Sequence, residues 1–202
     1  SRMQNVVLRP TIHCNQDCPF CSANETSANV IEEPGRMLRR IARLARTSVR
    51  HLSFSGGEPT LSPHLADYVA AAKRLGIERV ELVTNAVRLD DDVRREKLVA
   101  AGLDRAFVSL HAHDEALSQR LTRKLGDFEK TVRAIDGLAR GGVHVEVNHV
   151  VQEANYRYLP RFADMVLARW AGIVKVSFAF VTPQFRALER AGDVPSYTDE
   201  IG

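Results

Sequence analysis

Short runs of apolar and β-branched residues recur along the chain, and stretches with the periodicity of helices lie between them. Several of the runs are nearly continuous in apolar residues, which is typical of parallel strands that are covered on both faces. The alternation predicts repeated strand–helix units around a parallel sheet, and therefore an α/β fold. The six predicted strands are Val6 to Arg9, His51 to Phe54, Val80 to Thr84, Ala106 to Leu110, His144 to Val151 and Lys175 to Val181.

Helical spacing is clearest after the second predicted strand, where apolar residues recur every three or four positions from Leu65 to Leu75. Ser62 and Pro63 come just before and are expected to be the N-cap and the first helical residue. Five further helices are predicted. The first carries Leu38, Ile41 and Leu44, the second runs from Asp91 to Ala101 and is closed by Gly102, and the third is a short helix that begins at Asp114 and Glu115. The fourth carries Val132, Ile135 and Leu138 and is capped by Asp127, and the fifth carries Leu159, Phe162, Val166 and Trp170.

The chain has 202 residues, enough for one domain with a substantial core. We expect a single domain over residues 1–202, with the repeated strand–helix units at about 6–181. The segment from Thr182 to Gly202 has two prolines, two glycines and no sustained period, so a sixth covering helix is expected to be missing or incomplete. We therefore expect this chain to be truncated from a longer protein, or to be unusually short.

Composition and charge narrow the choice of partners. Hydrophobic residues make up 45% of the chain and charged residues 26%, which is ordinary for a globular protein. The net charge of +3 is modest and the arginines are spread over predicted helix surfaces, so we expect no nucleic-acid partner. There is no run of about 18 apolar residues and no secretory leader pattern, and we expect a soluble protein with no membrane partner.

Cys14, Cys18 and Cys21 fall within eight residues, just after the first predicted strand. Three cysteines so closely spaced do not make a disulfide framework and indicate a metal site in a cytoplasmic, reducing compartment. In a loop, these thiolates can bind one face of a cube-shaped iron–sulfur cluster and leave one iron without a cysteine ligand, whereas an electron-transfer cluster would need a fourth cysteine. A zinc-stabilised binding protein is the alternative, with His13 or His111 as the fourth ligand.

Two motifs together carry a family resemblance. In the first, Phe20 precedes the last cysteine and gives the pattern C-x3-C-x-aromatic-C; in the second, Gly56-Gly57-Glu58-Pro59 directly follows the second predicted strand. Both resemble the signature of the radical S-adenosylmethionine (SAM) superfamily, in which the open iron binds the amino and carboxylate groups of SAM. The glycines let the backbone approach a ligand closely. Glu58 supplies a charge partner for the ammonium of SAM.

The resemblance implies further contacts to SAM at the ends of later strands, where ligands of parallel α/β barrels bind. The sequence is most similar to the MoaA/PqqE/NirJ-like branch, which contains molybdopterin-precursor cyclases and peptide-modifying enzymes. By this similarity, Thr84 and Asn85 contact the methionine part of SAM, and Ser109 contacts the ribose. Asn148, on the fifth strand, is also implied to contact SAM. Val150 and, on the sixth strand, Phe180 or Val181 are candidates to line the adenine, with packing in the core as the favoured alternative for each.

The resemblance also implies the fold, the activity and the partners. The six units would form a partial, open (β/α)6 TIM-like barrel that binds one [4Fe-4S] cluster and SAM. Such an enzyme cleaves SAM reductively to a 5'-deoxyadenosyl radical, which abstracts hydrogen from a peptide or small-metabolite substrate. A reductant such as flavodoxin or ferredoxin is implied, together with a C-terminal extension or partner protein. The expected covers of the cavity are the loop from Asn24 to Gly35 and the segment after Thr182.

The histidines divide by position. His111 follows the fourth predicted strand and is the candidate for a substrate contact or for proton transfer, because an ordinary imidazole titrates near neutrality. His13, His113 and His149 also lie near strand ends and are expected at the cavity or its rim. Three histidines remain, and they are expected to be exposed or structural: His51, His64 and His144.

Overall fold

The fold is a single parallel sheet of six strands with helices packed on one side, seen in a computed structural model that describes residues 4–21 and 29–181. Strands follow one another in chain order, and each is parallel to the next. The strands are β1 (Gln4–Thr11), β2 (Val49–Gly56), β3 (Arg79–Thr84), β4 (Arg105–Ser109), β5 (His144–Val151) and β6 (Lys175–Phe180). The helices are α1 (Pro34–Ala45), α2 (Leu65–Arg74), α3 (Asp92–Ala100), α4 (Glu115–Thr122), α5 (Asp127–Arg140) and α6 (Leu159–Trp170).

The sheet does not close on itself. β1 and β6 are the two edges, and within the described residues they do not pair with each other. The expected partial, open (β/α)6 TIM-like barrel is therefore confirmed. Short 3-10 turns follow three of the strands, at Pro59–Leu61, Val87–Asp90 and Tyr156–Tyr158.

The core lies between the sheet and the helices. Apolar side chains of the strands, such as Phe54 and Leu82, face apolar helix residues such as Ile41 and Ile135, and all four are completely buried. Each side chain of this size stabilises the fold by about 1.5–3 kcal/mol when it leaves water. Trp170 is buried in the same core, as its apolar stripe predicted.

The other face of the sheet carries a row of paired charges. Arg105 on β4 lies between two carboxylates: its Nη2 is 2.9 Å from Glu146 Oε2, and its Nε is 3.6 Å from Glu81 Oε2. Lys175 Nζ on β6 is 3.2 Å from the other oxygen of Glu146. Because side chains alternate along a strand, this polar row and the apolar core occupy opposite faces.

Two predicted helix starts were wrong by one or two residues. α2 begins at Leu65, and Ser62 instead ends the 3-10 turn that Pro59 starts, with its N–H donating to the Pro59 carbonyl. A proline at the first position favours the earlier turn because its φ is already helical. Asp127 is the first residue of α5 rather than its cap, and Gly126 takes the cap position at a φ of 81°.

Some expectations fall on parts of the chain that the structure does not describe. The proposed covers, Asn24 to Gly35 and the segment after Thr182, lie partly and wholly outside the described residues. The single-domain organisation over residues 1–202 stays a prediction. Among the helices of residues 4–21 and 29–181, none is long and apolar enough to cross a membrane.

Candidate functional site

A cavity of about 370 Å³ opens at the carboxyl ends of the strands. Parallel register brings these ends to one edge, where Thr11 pairs with Gly56 and Ser109 with Asn148. Pro59 is the one predicted site residue that does not line it; it is buried in the adjoining 3-10 turn. The predicted residues that line the cavity are Cys14, Cys18, Phe20, Cys21, Gly56, Gly57, Glu58, Thr84, Asn85, Ser109, His111, Asn148 and Val150.

The cysteine loop is docked on the corner between α4 and α5. Gln16 Nε2 donates to Asp127 Oδ2 at 2.9 Å, and the N–H of Asp17 donates to the Thr122 carbonyl at 3.0 Å. Arg123 adds an exposed ion pair with Asp17 at 3.1 Å. The loop position therefore depends on residues more than a hundred positions away, which the sequence motif does not contain.

The three cysteines form no disulfide, are half-buried and line one cavity. Burial raises the pKa of Cys14 to about 11, so metal binding at this thiol must release a proton. A zinc site needs its ligands around one ion, and no three His, Cys, Asp or Glu of the described chain are arranged to hold a single metal ion. A donor set of three cysteines fits a [4Fe-4S] cluster, in which each thiolate binds a different iron.

Gly56 and Gly57 are required by the contact between the second strand end and the cysteine loop. The Gly57 N–H donates to the Thr11 carbonyl at 3.2 Å, and the Glu58 N–H donates to the His13 carbonyl at 2.7 Å. A Cβ atom on Gly57 would lie 2.2 Å from the His13 oxygen, and one on Gly56 would lie 2.1 Å from the Thr11 oxygen. Gly56 also has a φ of 139°, which favours glycine.

Glu58 is almost completely buried, at 1% exposure, and its carboxylate accepts four hydrogen bonds. Oε1 accepts from the Thr60 N–H at 3.0 Å, from the Thr60 hydroxyl at 2.6 Å and from the Thr84 hydroxyl at 2.6 Å. Oε2 accepts from the Asn85 N–H at 2.8 Å, which leaves this oxygen with capacity for another donor. Burial raises the pKa of Glu58 above its usual range, while the donors on Thr60 and Thr84 oppose that shift.

Asn85 connects the end of β3 to both the cysteine loop and α5. Its Nδ2 donates to Asn15 Oδ1 at 2.8 Å, and its carbonyl accepts from the Thr131 hydroxyl at 2.9 Å. Asn15 and Thr60 were missed by the sequence reasoning. Each directly adjoins a recognised motif, so position beside the cysteine and Gly-Gly-Glu segments is the signal that could have identified them.

His111 lies at the cavity with its ring nearly perpendicular to Phe20, at a centroid distance of 5.1 Å. Its Nδ1 accepts a hydrogen bond from the Val150 N–H at 3.0 Å. Burial, with a smaller contribution from His149, lowers the pKa of His111 to about 3. Burial thus favours the neutral imidazole, and both the substrate contact and the proton transfer expected of His111 stay predictions.

Neither His149 nor His113 lines the cavity, whereas His13 adjoins Cys14 and its carbonyl accepts from the Glu58 N–H. His149 is 1% exposed and packs against Phe162 at a centroid distance of 4.0 Å, on the helix side of the sheet, so its expected place at the rim was wrong. His113 stacks on Tyr158 and pairs with Asp114.

Comparison with solved structures gives the same fold. Streptococcus suis SuiB bound to its precursor peptide SuiA superimposes with a TM-score of 0.74 and 22% identity, over 90% of this chain and 40% of that chain. SuiB has also been solved bound to S-adenosylmethionine, with a TM-score of 0.73. Native anSMEcpe with bound AdoMet gives a TM-score of 0.74 at 17% identity, over 88% of this chain and 51% of that chain.

Sequence relatives include two proteins named "Probable GTP 3',8-cyclase". The one from Methanopyrus kandleri is 34% identical over 170 residues, which are 80% of this chain and 52% of the relative. The one from Saccharolobus islandicus is 33% identical over 169 residues, 81% of this chain and 53% of the relative. The chain thus spans about half the length of the curated relatives it matches, and the expected MoaA-like branch is confirmed.

The Radical SAM superfamily matches residues 8–166. This range contains all three cysteines of the cavity, the Gly-Gly-Glu segment and every polar strand end that lines it. Enzymes of this superfamily use a [4Fe-4S] cluster and SAM. Since the match covers well over half of the chain, the chain belongs to the radical SAM superfamily.

Proposed function

We propose that this chain binds one [4Fe-4S] cluster through Cys14, Cys18 and Cys21, and binds SAM across the same cavity. The observation that carries the proposal is the shared cavity itself, lined by the three thiols, the Gly-Gly-Glu segment and the polar ends of β3, β4 and β5. When bound, the cluster supplies the electron that cleaves SAM to methionine and a 5'-deoxyadenosyl radical, which abstracts hydrogen from a peptide or small-metabolite substrate.

The protein's own residues bind and orient SAM. Glu58 Oε2 has acceptor capacity beyond its bond from Asn85, and offers a charged partner for the SAM ammonium. Ser109 offers a hydroxyl to the ribose, and Asn148, its neighbour across β4 and β5, offers an amide group to SAM. An external reductant such as flavodoxin or ferredoxin supplies the electron.

Within the class of small metabolites, a nucleotide is the substrate that the relatives favour. Their printed name, "Probable GTP 3',8-cyclase", refers to those proteins, and this chain spans about half of their length. We therefore propose that SAM cleavage survives in residues 1–202 and that turnover of the natural substrate needs a C-terminal extension or a partner protein.

Anaerobic reconstitution followed by dithionite reduction tests the proposal. The wild-type chain should hold about four iron atoms and form 5'-deoxyadenosine and methionine in equal amounts. Cys18→Ala should lose the cluster and both products, while the control Ser48→Ala, which removes an exposed hydroxyl just before the amino end of β2, should retain them. Formation of neither product by a protein with its full iron content would contradict the proposal, and so would full activity of the zinc-loaded protein.

Substrate class can be tested separately, with GTP deuterated on the ribose as the probe. Transfer of deuterium to 5'-deoxyadenosine would support a nucleotide substrate. Cleavage of SAM without deuterium transfer, both alone and with the C-terminal half of a relative added, would contradict the nucleotide and favour a peptide.

A further inference from the structure

The cavity has two chemically different ends. One end is polar and charged, with Glu58, Thr84 and Asn85 around the Gly-Gly-Glu segment. The other end is aromatic and apolar, with Phe20, His111 and the backbone and side chains of β5 and β6. SAM has the same polarity along its length, since its amino-acid end is charged and its adenine is a flat ring with acceptor nitrogens in the ring plane. Complementarity therefore directs the adenine to the aromatic end.

His111 is the polar group at that aromatic end, and its tautomer is fixed. Its Nδ1 accepts the Val150 N–H at 3.0 Å, so Nδ1 carries no proton. A neutral imidazole has one N–H, which must then be at Nε2. The low pKa of His111, about 3, keeps the ring neutral at physiological pH. His111 is consequently a hydrogen-bond donor at Nε2.

A buried asparagine is hydrogen-bonded to both strand ends that hold this ring. Asn155, 1% exposed, donates from Nδ2 to the carbonyls of His111 at 3.0 Å and Val150 at 2.9 Å. Its Oδ1 accepts from the Gln152 N–H at 2.8 Å. These hydrogen bonds link the end of β4 to the end of β5. The donor and the acceptor of the His111–Val150 bond are therefore held together by a residue outside the sheet.

A second histidine, His149, also contacts this asparagine. His149 Nδ1 lies 3.1 Å from the Leu110 carbonyl, and its Nε2 lies 3.3 Å from Asn155 Nδ2. The two hydrogens of Asn155 Nδ2 go to the His111 and Val150 carbonyls, so the approach of His149 Nε2 at 3.3 Å is a packing contact rather than a third full hydrogen bond. A side chain held in this way is pre-organised, and can discriminate between ligands by a single hydrogen bond.

We propose that His111 determines specificity for the adenine of SAM, with its Nε2–H donating to a ring nitrogen of the base beside Phe20. This inference rests on the proposed function, because it requires SAM in the cavity. Asn155 is a positioning residue that acts through His111. A ligand that lacks the in-plane acceptor leaves the donor unpaired in an apolar setting, which is what makes the contact selective.

The test measures binding by equilibrium dialysis under nitrogen, with the reconstituted protein and no reductant. The ligands are SAM and analogues in which one adenine ring nitrogen at a time is replaced by C–H. Wild type should bind one of these analogues about tenfold more weakly than SAM, the effect of one neutral hydrogen bond. In His111→Asn the shorter amide still accepts the Val150 N–H but no longer reaches the base, so SAM and that analogue should bind equally.

Two further variants make the result specific. His111→Gln places an amide donor near the original Nε2 position and should restore part of the discrimination. His64→Gln, which changes a partly exposed histidine at the start of α2 that does not line the cavity, should leave all affinities unchanged. The same discrimination in His111→Asn as in wild type would overturn the inference while leaving the proposed function intact. Failure of wild type to bind SAM at all would overturn both.

Discussion

Replacing Glu58 by glutamine removes a charge and one acceptor from the most connected side chain of the site. The carboxylate accepts from two backbone N–H groups, one on each oxygen, and from two hydroxyls. The hydroxyls of Thr60 and Thr84 can rotate and accept from the new amide. The N–H groups of Thr60 and Asn85 cannot. Whichever way the glutamine amide is turned, its NH2 faces one of these backbone donors.

The structure gives a magnitude for this change. One buried backbone N–H loses a charged acceptor, and a hydrogen bond of that kind contributes about 1.5–3 kcal/mol. The remaining bonds become neutral and weaker. We therefore expect Glu58→Gln to lower the free energy of unfolding by about 2–4 kcal/mol. With a urea dependence of about 2 kcal/mol per molar, the unfolding midpoint should fall by about 1–2 M.

Urea unfolding of the anaerobically reconstituted protein measures this loss. The matched control is Glu153→Gln, because Glu153 is exposed and its replacement should change stability by less than about 0.5 kcal/mol. The slope of the transition should be the same in all three proteins. A Glu58→Gln midpoint equal to that of the control would refute the claim that this carboxylate holds the strand ends together.

Three further outcomes follow from the same structure. Gly57→Ala should prevent cluster reconstitution, measured as bound iron, because the new Cβ would meet the backbone of the cysteine loop. The control Gly76→Ala, whose Cβ would meet nothing within 4 Å but whose φ is 89°, should lower the free energy of unfolding by only about 1 kcal/mol and keep the iron. The folded-state pKa of His149 is lowered to about 4 by burial, so the unfolded chain takes up the proton first as pH falls. Between pH 6.5 and 5.5 this should remove about 1 kcal/mol of stability, and His149→Gln should abolish that part of the pH dependence in urea unfolding. Asp127→Ala should reduce iron uptake at limiting iron because it frees Gln16 of the cysteine loop, whereas Arg123→Ala removes an exposed ion pair and should have little effect. An equal loss of bound iron in both variants would contradict the docking of the cysteine loop on Asp127.

The sequence predicted what depends on local pattern. All six strands were found, since each is a short apolar run between helical stretches, and the cavity contains all but one of the predicted site residues. The start of α2 was missed because Ser62 and Pro63 are a good local cap signal, and the preceding 3-10 turn competes for the same residues. Local signals cannot decide between two such starts.

Contacts between distant segments were beyond the sequence. Nothing in the loop after β5 indicates that Asn155 reaches His111, because that contact requires the register of two strands. The position of His149 could have been predicted, since it alternates with Asn148 and Val150 and must face the opposite side of β5. The low pKa of His111 depends on burial, which only the assembled cavity provides.

The central claim is that SAM binds at the cluster held by Cys14, Cys18 and Cys21. The most direct measurement is the electron paramagnetic resonance spectrum of the dithionite-reduced protein before and after addition of SAM. The account predicts the signal of one reduced [4Fe-4S] cluster whose g values change when SAM binds. An iron-loaded wild-type protein whose spectrum is the same with and without SAM would contradict it.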